Sequence, residues 1–226
     1  MATPPHTWPL ASTCMFYEAP HSSAEARVLA CVCEGASASL FALLQSTHLT
    51  GAFAHVPALW DERRVPLCAA GAPVVSFLWD GSLPVDVAPS LADVTELVRT
   101  IVARLRLDAC EVVIVMVLLE ELLVRHGPVL QLYSLRPVLF AACMLARKLT
   151  RDGDTATGTC VDAMADLFTA LTPLLGARIE RQLLEYLEWR IPNDPAVYRR
   201  HTFVLLREGT PPHMLPPSIV DVPWVC

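Results

Sequence analysis

Apolar residues recur at helical spacing from residue 90 to residue 126, in two runs that each begin at a capping motif. The first run places one apolar face at Leu91, Val94, Leu97, Val98, Ile101, Val102 and Leu105. SLAD at 90–93 opens this run with the spacing of a capping box, and DACE at 108–111 repeats the motif before the second run. The second run extends to Arg125 and stops at the Gly-Pro pair 127–128. The pattern therefore predicts two consecutive helices.

The third run, from Ser134 to Leu149, is apolar on nearly every side of the helix that it predicts. Ser134 is the predicted N-cap, and Pro137 is tolerated in the first turn of a helix. A helix without a polar face belongs at the centre of a bundle. Nearly complete burial is therefore expected at Leu139, Ala142, Leu145 and Ala146. The helix then ends in a group of charged residues, Arg147, Lys148, Arg151 and Asp152.

Three further helices are indicated by their start signals. TCVD at 159–162 caps a short fourth helix, and the Thr-Pro pair 172–173 opens a fifth that ends near Arg190. The Asp-Pro pair 194–195 opens a sixth, which Gly209 closes. No β-alternation of any length interrupts these segments. The predicted fold is therefore all-α, a five-helix bundle with a following sixth helix.

Proline separates this helical middle from two turn-rich flanks, because nine of the 19 prolines precede residue 90 and seven follow residue 191. The predicted organisation is a partly ordered N-terminal extension over 1–87, a helical domain over 88–207 and a proline-rich tail over 208–226. In the extension, SSAEARVLACVCEG and SASLFALLQS each predict a short helix, the first from Ser23. APVVSFLWDG predicts a strand or an extended lead-in.

Composition favours a single intracellular domain. The 226 residues are 54% hydrophobic with a net charge of −6, which supports one sizeable core and argues against nucleic-acid binding. The longest apolar run, VVIVMVLL at 112–119, is far shorter than the about 20 residues that span a bilayer. The N-terminus MATPPHTWPL has neither a basic segment nor an apolar core, so no signal peptide is predicted. The expected localisation is the nucleus, the cytoplasm or both.

Metal and catalytic motifs are missing from the sequence. The eight cysteines form no C-x-x-C pair and the seven histidines show no metal-binding spacing, so free buried thiols are favoured over metal ligation. No cofactor or small-molecule ligand is expected. The nearest acid–base candidates are Glu120, Glu121, His126, Glu185 and Glu188. Their spacing is typical of solvated helix faces, and no nucleophile motif accompanies them, so no enzyme is predicted.

Two of the predicted helices resemble helices of the cyclin box. LYSLRPVLFAACMLARKL at 132–149 resembles the third cyclin helix, where a run of small residues leads into a lysine. LTPLLGARIERQLLEYLEWRI at 171–191 resembles the fifth, with its hydrophobic-Glu-x-x-Leu-Leu core and closing Leu-x-Trp/Phe-x-hydrophobic signature. NDPAVYRRHTFVL is similar to the helix that follows the box in short single-box cyclins of the P/U, or phosphate-pathway, type. The resemblance covers roughly residues 88–207 and implies a cyclin-box bundle.

The resemblance also implies a surface that binds a cyclin-dependent protein kinase. In the family, the lysine that ends the third helix and a glutamate early in the fifth contact the kinase, and they correspond here to Lys148 and Glu180. Leu149 and Leu183 are further candidates for this face, with an ordinary core position as the alternative. Lys148 and Glu180 have an alternative too, as end-of-helix charges paired with each other or with a nearby arginine. Reversing either charge is expected to leave the melting temperature nearly unchanged.

Two functions follow from the resemblance. The first is a regulatory subunit of a cyclin-dependent kinase, and the second is an adaptor with a cyclin-like fold that activates no kinase. An exposed patch that unites Lys148, Glu180 and apolar neighbours would favour the first, while burial in an intramolecular pair would favour the second. The first box helix, ADVTELVRTIVARL, lacks the Met-Arg-x-Ile-Leu motif with which cell-cycle cyclins dock substrate peptides. The identity of the kinase is not implied.

Overall fold

The computed structural model describes residues 23–50, 56–68, 89–151 and 157–210, and within those ranges it contains helices and turns but no strand. The helices are α1 (Ser23–Thr50), α2 (Leu91–Leu105), α3 (Ala109–His126), α4 (Leu132–Thr150), α5 (Thr157–Ala163), α6 (Pro173–Tyr186) and α7 (Pro195–Gly209). The predicted all-α class is therefore confirmed for the described residues. Helices α2 to α6 stand where the five bundle helices were predicted, and α7 where the sixth was. The predicted strand or lead-in at 72–81 lies outside the described residues.

Helix α4 is the centre of the bundle because its apolar surface has no polar side. Every residue from Tyr133 to Ala146 is buried, and α3 and α6 pack directly against it. The predicted core positions are confirmed, with relative exposures of 3%, 0%, 5% and 0% at Leu139, Ala142, Leu145 and Ala146. Each large apolar side chain buried in this way contributes roughly 1.5–3 kcal/mol before the entropy of folding is subtracted.

The predicted capping signals act as expected at four helix starts. Capping boxes are present at 90–93 and 108–111, where each N-cap side chain accepts a hydrogen bond from the N3 backbone and the N3 carboxylate accepts one from the N-cap backbone. Thr172 caps α6 and Asp194 caps α7, each followed by proline at the first helical position. These signals involve residues close in the sequence, which is why the sequence alone identifies them.

Three predicted boundaries were wrong. Helix α4 begins at Leu132 rather than after Ser134, because Gln131 is the N-cap and the Ser134 hydroxyl accepts a hydrogen bond from the Gln131 N–H at 2.8 Å. Helix α5 begins at residue 157, two residues before the predicted cap. Helix α6 ends at Tyr186 instead of near residue 190.

The early end of α6 has a tertiary cause. The Tyr186 carbonyl lies 2.6 Å from His126 Nε2, and Arg125 Nη1 donates to the Leu187 carbonyl at 2.9 Å, so the C-terminus of α3 satisfies two carbonyls at the end of α6. The next two residues, Glu188 and Trp189, adopt left-handed backbone conformations with φ of 53° and 58°. The chain therefore turns away from the helix axis.

Helix α1 corrects the prediction of two short helices, since residues 23–50 form one continuous helix. Its face packs against α7, α2 and α3. Gly35, which ends the first predicted segment, lies at a close approach of α1 and α7: a Cβ there would stand 2.0 Å from the Leu205 carbonyl oxygen. Gly209 makes the reciprocal contact, because its Cβ would stand 1.8 Å from the Cys31 carbonyl oxygen. Packing of the two backbones thus outweighs the weak helix propensity of glycine.

One part of α1 also meets a compositional test for membrane helices. The stretch Ala24–Ser46 is long and apolar enough to cross a bilayer by length and composition alone, a test that core helices of soluble proteins also pass. Val32, Ala36 and Leu40 of this stretch are buried in the bundle core. The N-terminal extension therefore contributes a helix to the same core as α2 to α7.

Residues 56–68, called the strap, form a segment of turns that joins distant parts of the bundle. Glu62 of the strap makes a buried ion pair with Arg136 of α4, with the Nε to Oε1 distance at 2.8 Å. The Glu62 N–H donates to the Tyr133 carbonyl at 3.0 Å. That carbonyl is available because Pro137, four residues later, has no N–H to bond it. The strap therefore compensates for the proline inside α4.

The thiols of the described residues are free, and three of them, Cys33, Cys143 and Cys160, are buried as expected. Burial raises the pKa of Cys33 to about 12, and it also raises the pKa of Cys143. The expectation of buried thiols is wrong for Cys110, which is exposed on the surface of α3. Among the described residues no group of histidine, cysteine and carboxylate side chains has the geometry to hold a metal ion.

Candidate functional site

Lys148 and Glu180 meet although 32 residues separate them in the sequence. Lys148 lies in the last turn of α4, and Glu180 lies in the middle of α6, which packs against α4. The Lys148 Nζ is 2.7 Å from Glu180 Oε2 and 2.8 Å from Oε1. The two side chains are 28% and 10% exposed, so the pair is mostly covered but still open to solvent on the lysine side.

Thr157, the first residue of α5, completes this arrangement, and the three residues are called the polar cluster. Lys148 Nζ donates to the Thr157 Oγ1 at 2.9 Å, and the Thr157 hydroxyl donates to Glu180 Oε2 at 3.3 Å. An ammonium group has three N–H donors, and the cluster supplies three acceptors for them. The cluster is therefore satisfied within the chain, and its charges neutralise each other. The sequence pattern did not indicate the role of Thr157.

The apolar candidates divide between the surface and the core. Leu149 is 45% exposed at the end of α4, next in sequence to Lys148. Leu183 is fully buried and belongs to the core, which corresponds to the alternative stated for it from the sequence. The structure thus joins Lys148 to Glu180, exposes Leu149 at the end of α4 and buries Leu183 in the core.

The remaining charges at the end of α4 join this helix to α2 and α3. Arg147 donates to the carbonyl of Leu105, the last residue of α2, and Arg151 Nη2 donates to the Arg106 carbonyl at 2.6 Å. Both acceptors lie at the C-terminus of α2, where backbone carbonyls lack helical partners. The cluster of charge that follows the apolar part of α4 therefore bonds the ends of neighbouring helices.

Glu111 is the centre of the second part of this network. Its side chain is fully buried and accepts hydrogen bonds from the Asp108 N–H, the Thr150 hydroxyl and two guanidinium nitrogens of Arg151, each at 2.8 Å. A buried carboxylate is stable only when its oxygens are bonded in this way. Thr150 and Arg151, which bond to Glu111, follow Lys148 by two and three residues. Glu111 therefore fixes the end of α4 that carries the polar cluster. The sequence indicated Glu111 only as part of a capping box.

Four of the five acid–base candidates named from the sequence lie in ion pairs, and the fifth, His126, contacts the Tyr186 carbonyl. Glu120 contacts Arg200 and His201 of α7, and Glu121 pairs with Arg125 at 2.6 Å. The carboxylate of Glu185 pairs with Arg181 at 2.9 Å. The carboxylate of Glu188 lies 3.5 Å from Arg125, the arginine that also binds Glu121. These contacts bridge α3 to α7 and to the end of α6.

No family model, curated protein or solved structure matches this chain. The described residues form an all-α fold. The end of its central helix, α4, reaches the surface at the mostly covered polar cluster.

Proposed function

We propose that this protein is a regulatory subunit that binds and activates a cyclin-dependent protein kinase through the surface formed by the end of α4 and by α6. The observation that supports the proposal most strongly is the polar cluster itself. The two residues that the cyclin resemblance assigns to kinase contact, Lys148 and Glu180, are adjacent in space, and Leu149, the residue after Lys148, is exposed. Within a contact that excludes water, a lysine and a glutamate provide polar anchors.

Activation by such a subunit requires no chemistry from this chain. The surface of α4 and α6 would press against the C-helix of the kinase and bring the lysine–glutamate ion pair of the kinase into place. The activation loop of the kinase would then become ordered. The effect is a shift in population toward the active kinase, limited by the difference in affinity of this protein for the active and inactive forms. No cofactor, metal or small-molecule ligand takes part.

The network around Glu111 supports this role energetically. Binding loses affinity whenever mobile side chains must be ordered at the interface, by about 0.5–1.5 kcal/mol for each long side chain. In this protein Lys148 is already held by Thr157 and Glu180, and the end of α4 is held by Arg151 and Glu111. The surface is therefore ordered before a partner arrives.

The test is capture of the partner followed by reconstitution. Tagged protein should retain a cyclin-dependent kinase from extracts of its native cells, and the purified pair should phosphorylate a generic substrate faster than the kinase alone. The matched control exchanges Arg104 and Asp166, an exposed ion pair that lies on neither α4 nor α6, at 40% and 76% exposure. This control should capture the kinase as the unaltered protein does. Failure to capture any kinase, with folding verified, would contradict the proposal.

An adaptor without kinase activation is the second candidate, and one observation favours it. The charges of the polar cluster are satisfied inside the chain, which was the feature expected for this alternative. A captured complex in which kinase activity is unchanged by this protein would select the adaptor. Increased activity of the reconstituted kinase would select the regulatory subunit.

A further inference from the structure

The geometry points to Thr157 as a phosphorylation site that opens the Lys148–Glu180 pair. The Thr157 hydroxyl lies within the polar cluster, 2.9 Å from Lys148 Nζ and 3.3 Å from Glu180 Oε2. A chemical change at this oxygen therefore acts directly on both charges.

Thr157 also meets one requirement for modification by a protein kinase, because its side chain is partly exposed. It is half-buried rather than enclosed, and it is the first residue of α5, a helix of seven residues. Helices of this length are marginal on their own and depend on tertiary contacts, so the first turn opens locally at low cost.

The reaction is phosphoryl transfer from a nucleoside triphosphate by a serine/threonine protein kinase. The bond between Thr157 Oγ1 and the terminal phosphorus forms, and the bond from that phosphorus to the leaving oxygen of the nucleoside diphosphate breaks. The hydroxyl proton passes to the catalytic base of the kinase. The product carries about −1.5 to −2 charges at neutral pH, together with three strong acceptor oxygens.

The added group conflicts with Glu180 in both volume and charge. Only 3.3 Å separates Thr157 Oγ1 from Glu180 Oε2, which leaves no room for a phosphoryl group between them. The phosphate and the carboxylate repel each other, while both attract the single ammonium of Lys148. Lys148 has three N–H donors, all of them used in the unmodified cluster, so bonds to phosphate oxygens replace the bonds to Glu180. The carboxylate of Glu180 is then displaced toward solvent.

The consequence for the kinase partner rests on the proposed function. If α4 and α6 form the binding surface, phosphorylation of Thr157 adds a dianion there and removes the ordered arrangement of Lys148 and Glu180. Affinity for the partner kinase should then fall by about tenfold or more, in the range measured for lost charge contacts at interfaces. Thr157 would be a reversible negative switch of this surface.

The structural step is tested in the full chain with phosphothreonine incorporated at position 157. The control carries phosphothreonine at Thr159, an exposed residue of the same short helix. Nuclear magnetic resonance of the Lys148 ammonium should show coupling through the hydrogen bond to phosphorus in the first protein and continued bonding to the Glu180 carboxylate in the control. Persistence of the Lys148–Glu180 bond in the protein phosphorylated at 157 would overturn the inference.

Binding and occurrence are tested separately. Phosphorylation at 157, but not at 159, should weaken capture of the kinase; equal affinity of both forms would contradict the switch. If even the unmodified protein captures no kinase, the proposed function fails, while the resonance experiment still decides the opening of the pair. Mass spectrometry of the peptide 152–178 from native cells should locate phosphate on Thr157. Absence of phosphate at that residue across growth states would rule out a physiological switch.

Discussion

The buried ion pair between the strap and α4 leads to a quantitative stability prediction. The side chains of Glu62 and Arg136 are only 1% and 7% exposed, and they bond through two nitrogen–oxygen contacts. Replacing Glu62 with Gln removes the negative charge from both of its contacts with the buried guanidinium of Arg136. Loss of one partner from a buried pair costs about 3–5 kcal/mol. At about 2–4 °C per kcal/mol for a chain of this length, the melting temperature should fall by roughly 6–20 °C.

A double-variant comparison separates the charge from the packing. Arg136→Met with Glu62→Leu removes both charges and keeps apolar volume, so its stability should lie near that of the unaltered protein or above it. Asp166→Asn breaks the exposed pair with Arg104, at 76% and 40% exposure, and should change the free energy of unfolding by less than about 1 kcal/mol. Urea unfolding followed by far-ultraviolet circular dichroism measures all of these proteins.

A Glu62→Gln protein that unfolds within about 1 kcal/mol of the unaltered protein would refute this prediction, since breaking a buried ion pair by removing one partner should cost more. The neighbouring Cys68 offers no substitute acceptor of comparable strength, because its sulfur lies 4.0 Å from Arg136 Nη1. A double variant as unstable as Glu62→Gln would also contradict it. In that case the packing of the strap, rather than the charge balance, would determine stability.

Three further predictions follow from buried or paired groups. Ala142→Asp introduces a charge at a fully buried position of α4 and should unfold the domain, whereas a normal melting curve would contradict the central position of that helix. The hydrogen bond from Arg63 lowers the pKa of Asp61 in the folded protein. The Asp61 carboxylate therefore stabilises the fold fully above about pH 4, the pKa of an aspartate in the unfolded chain. This stabilisation is lost as the pH falls through the lower pKa of the folded state. The stability difference between Asp61→Asn and the unaltered protein should therefore shrink in acid-unfolding titrations, and a constant difference would refute it. A thiol reagent should label exposed Cys110 in the folded protein and leave buried Cys143 unlabelled until unfolding; equal rates would show that the core is open.

Local signals account for the part of the fold that the sequence predicts. The capping motifs at 90–93 and 108–111 and the proline-led starts of α6 and α7 each involve residues within one helical turn. The burial of α4 can also be predicted from its own sequence, because a helix with no polar side is stable in a protein only when it is buried.

Contacts between distant residues account for what the sequence could not predict. Two short helices were predicted where α1 is continuous, and Gly35, at the end of the first, provides the close approach to Leu205 of α7. The pair between Glu62 and Arg136 joins residues 74 apart, and no spacing rule connects them. Helix propensity and periodicity describe neighbours along the chain, so such contacts become visible only in three dimensions.

The candidate site was predicted from the sequence only in part. The cyclin resemblance selected Lys148 and Glu180, and pairing between them was one of the stated alternatives, whereas Thr157 carried no signal. The observed pair also corrects the expectation for charge reversal. Placing two like charges within this mostly covered cluster should lower stability on the order of 1–3 kcal/mol, so reversal of one charge tests stability and binding together. An exchange of the two charges is needed to separate them.

Calorimetric titration of the captured kinase with the charge-exchanged variant, Lys148→Glu with Glu180→Lys, tests the central claim most directly. The exchange rebuilds an ion pair within the chain, so the melting temperature should recover most of what either single reversal loses. Affinity for the kinase should remain reduced by about 30-fold or more. The partner surface is complementary to a positive charge at 148 and a negative charge at 180, and the exchange reverses the sign at both positions. An exchanged variant that binds as tightly as the unaltered protein would show that the pair serves only the fold.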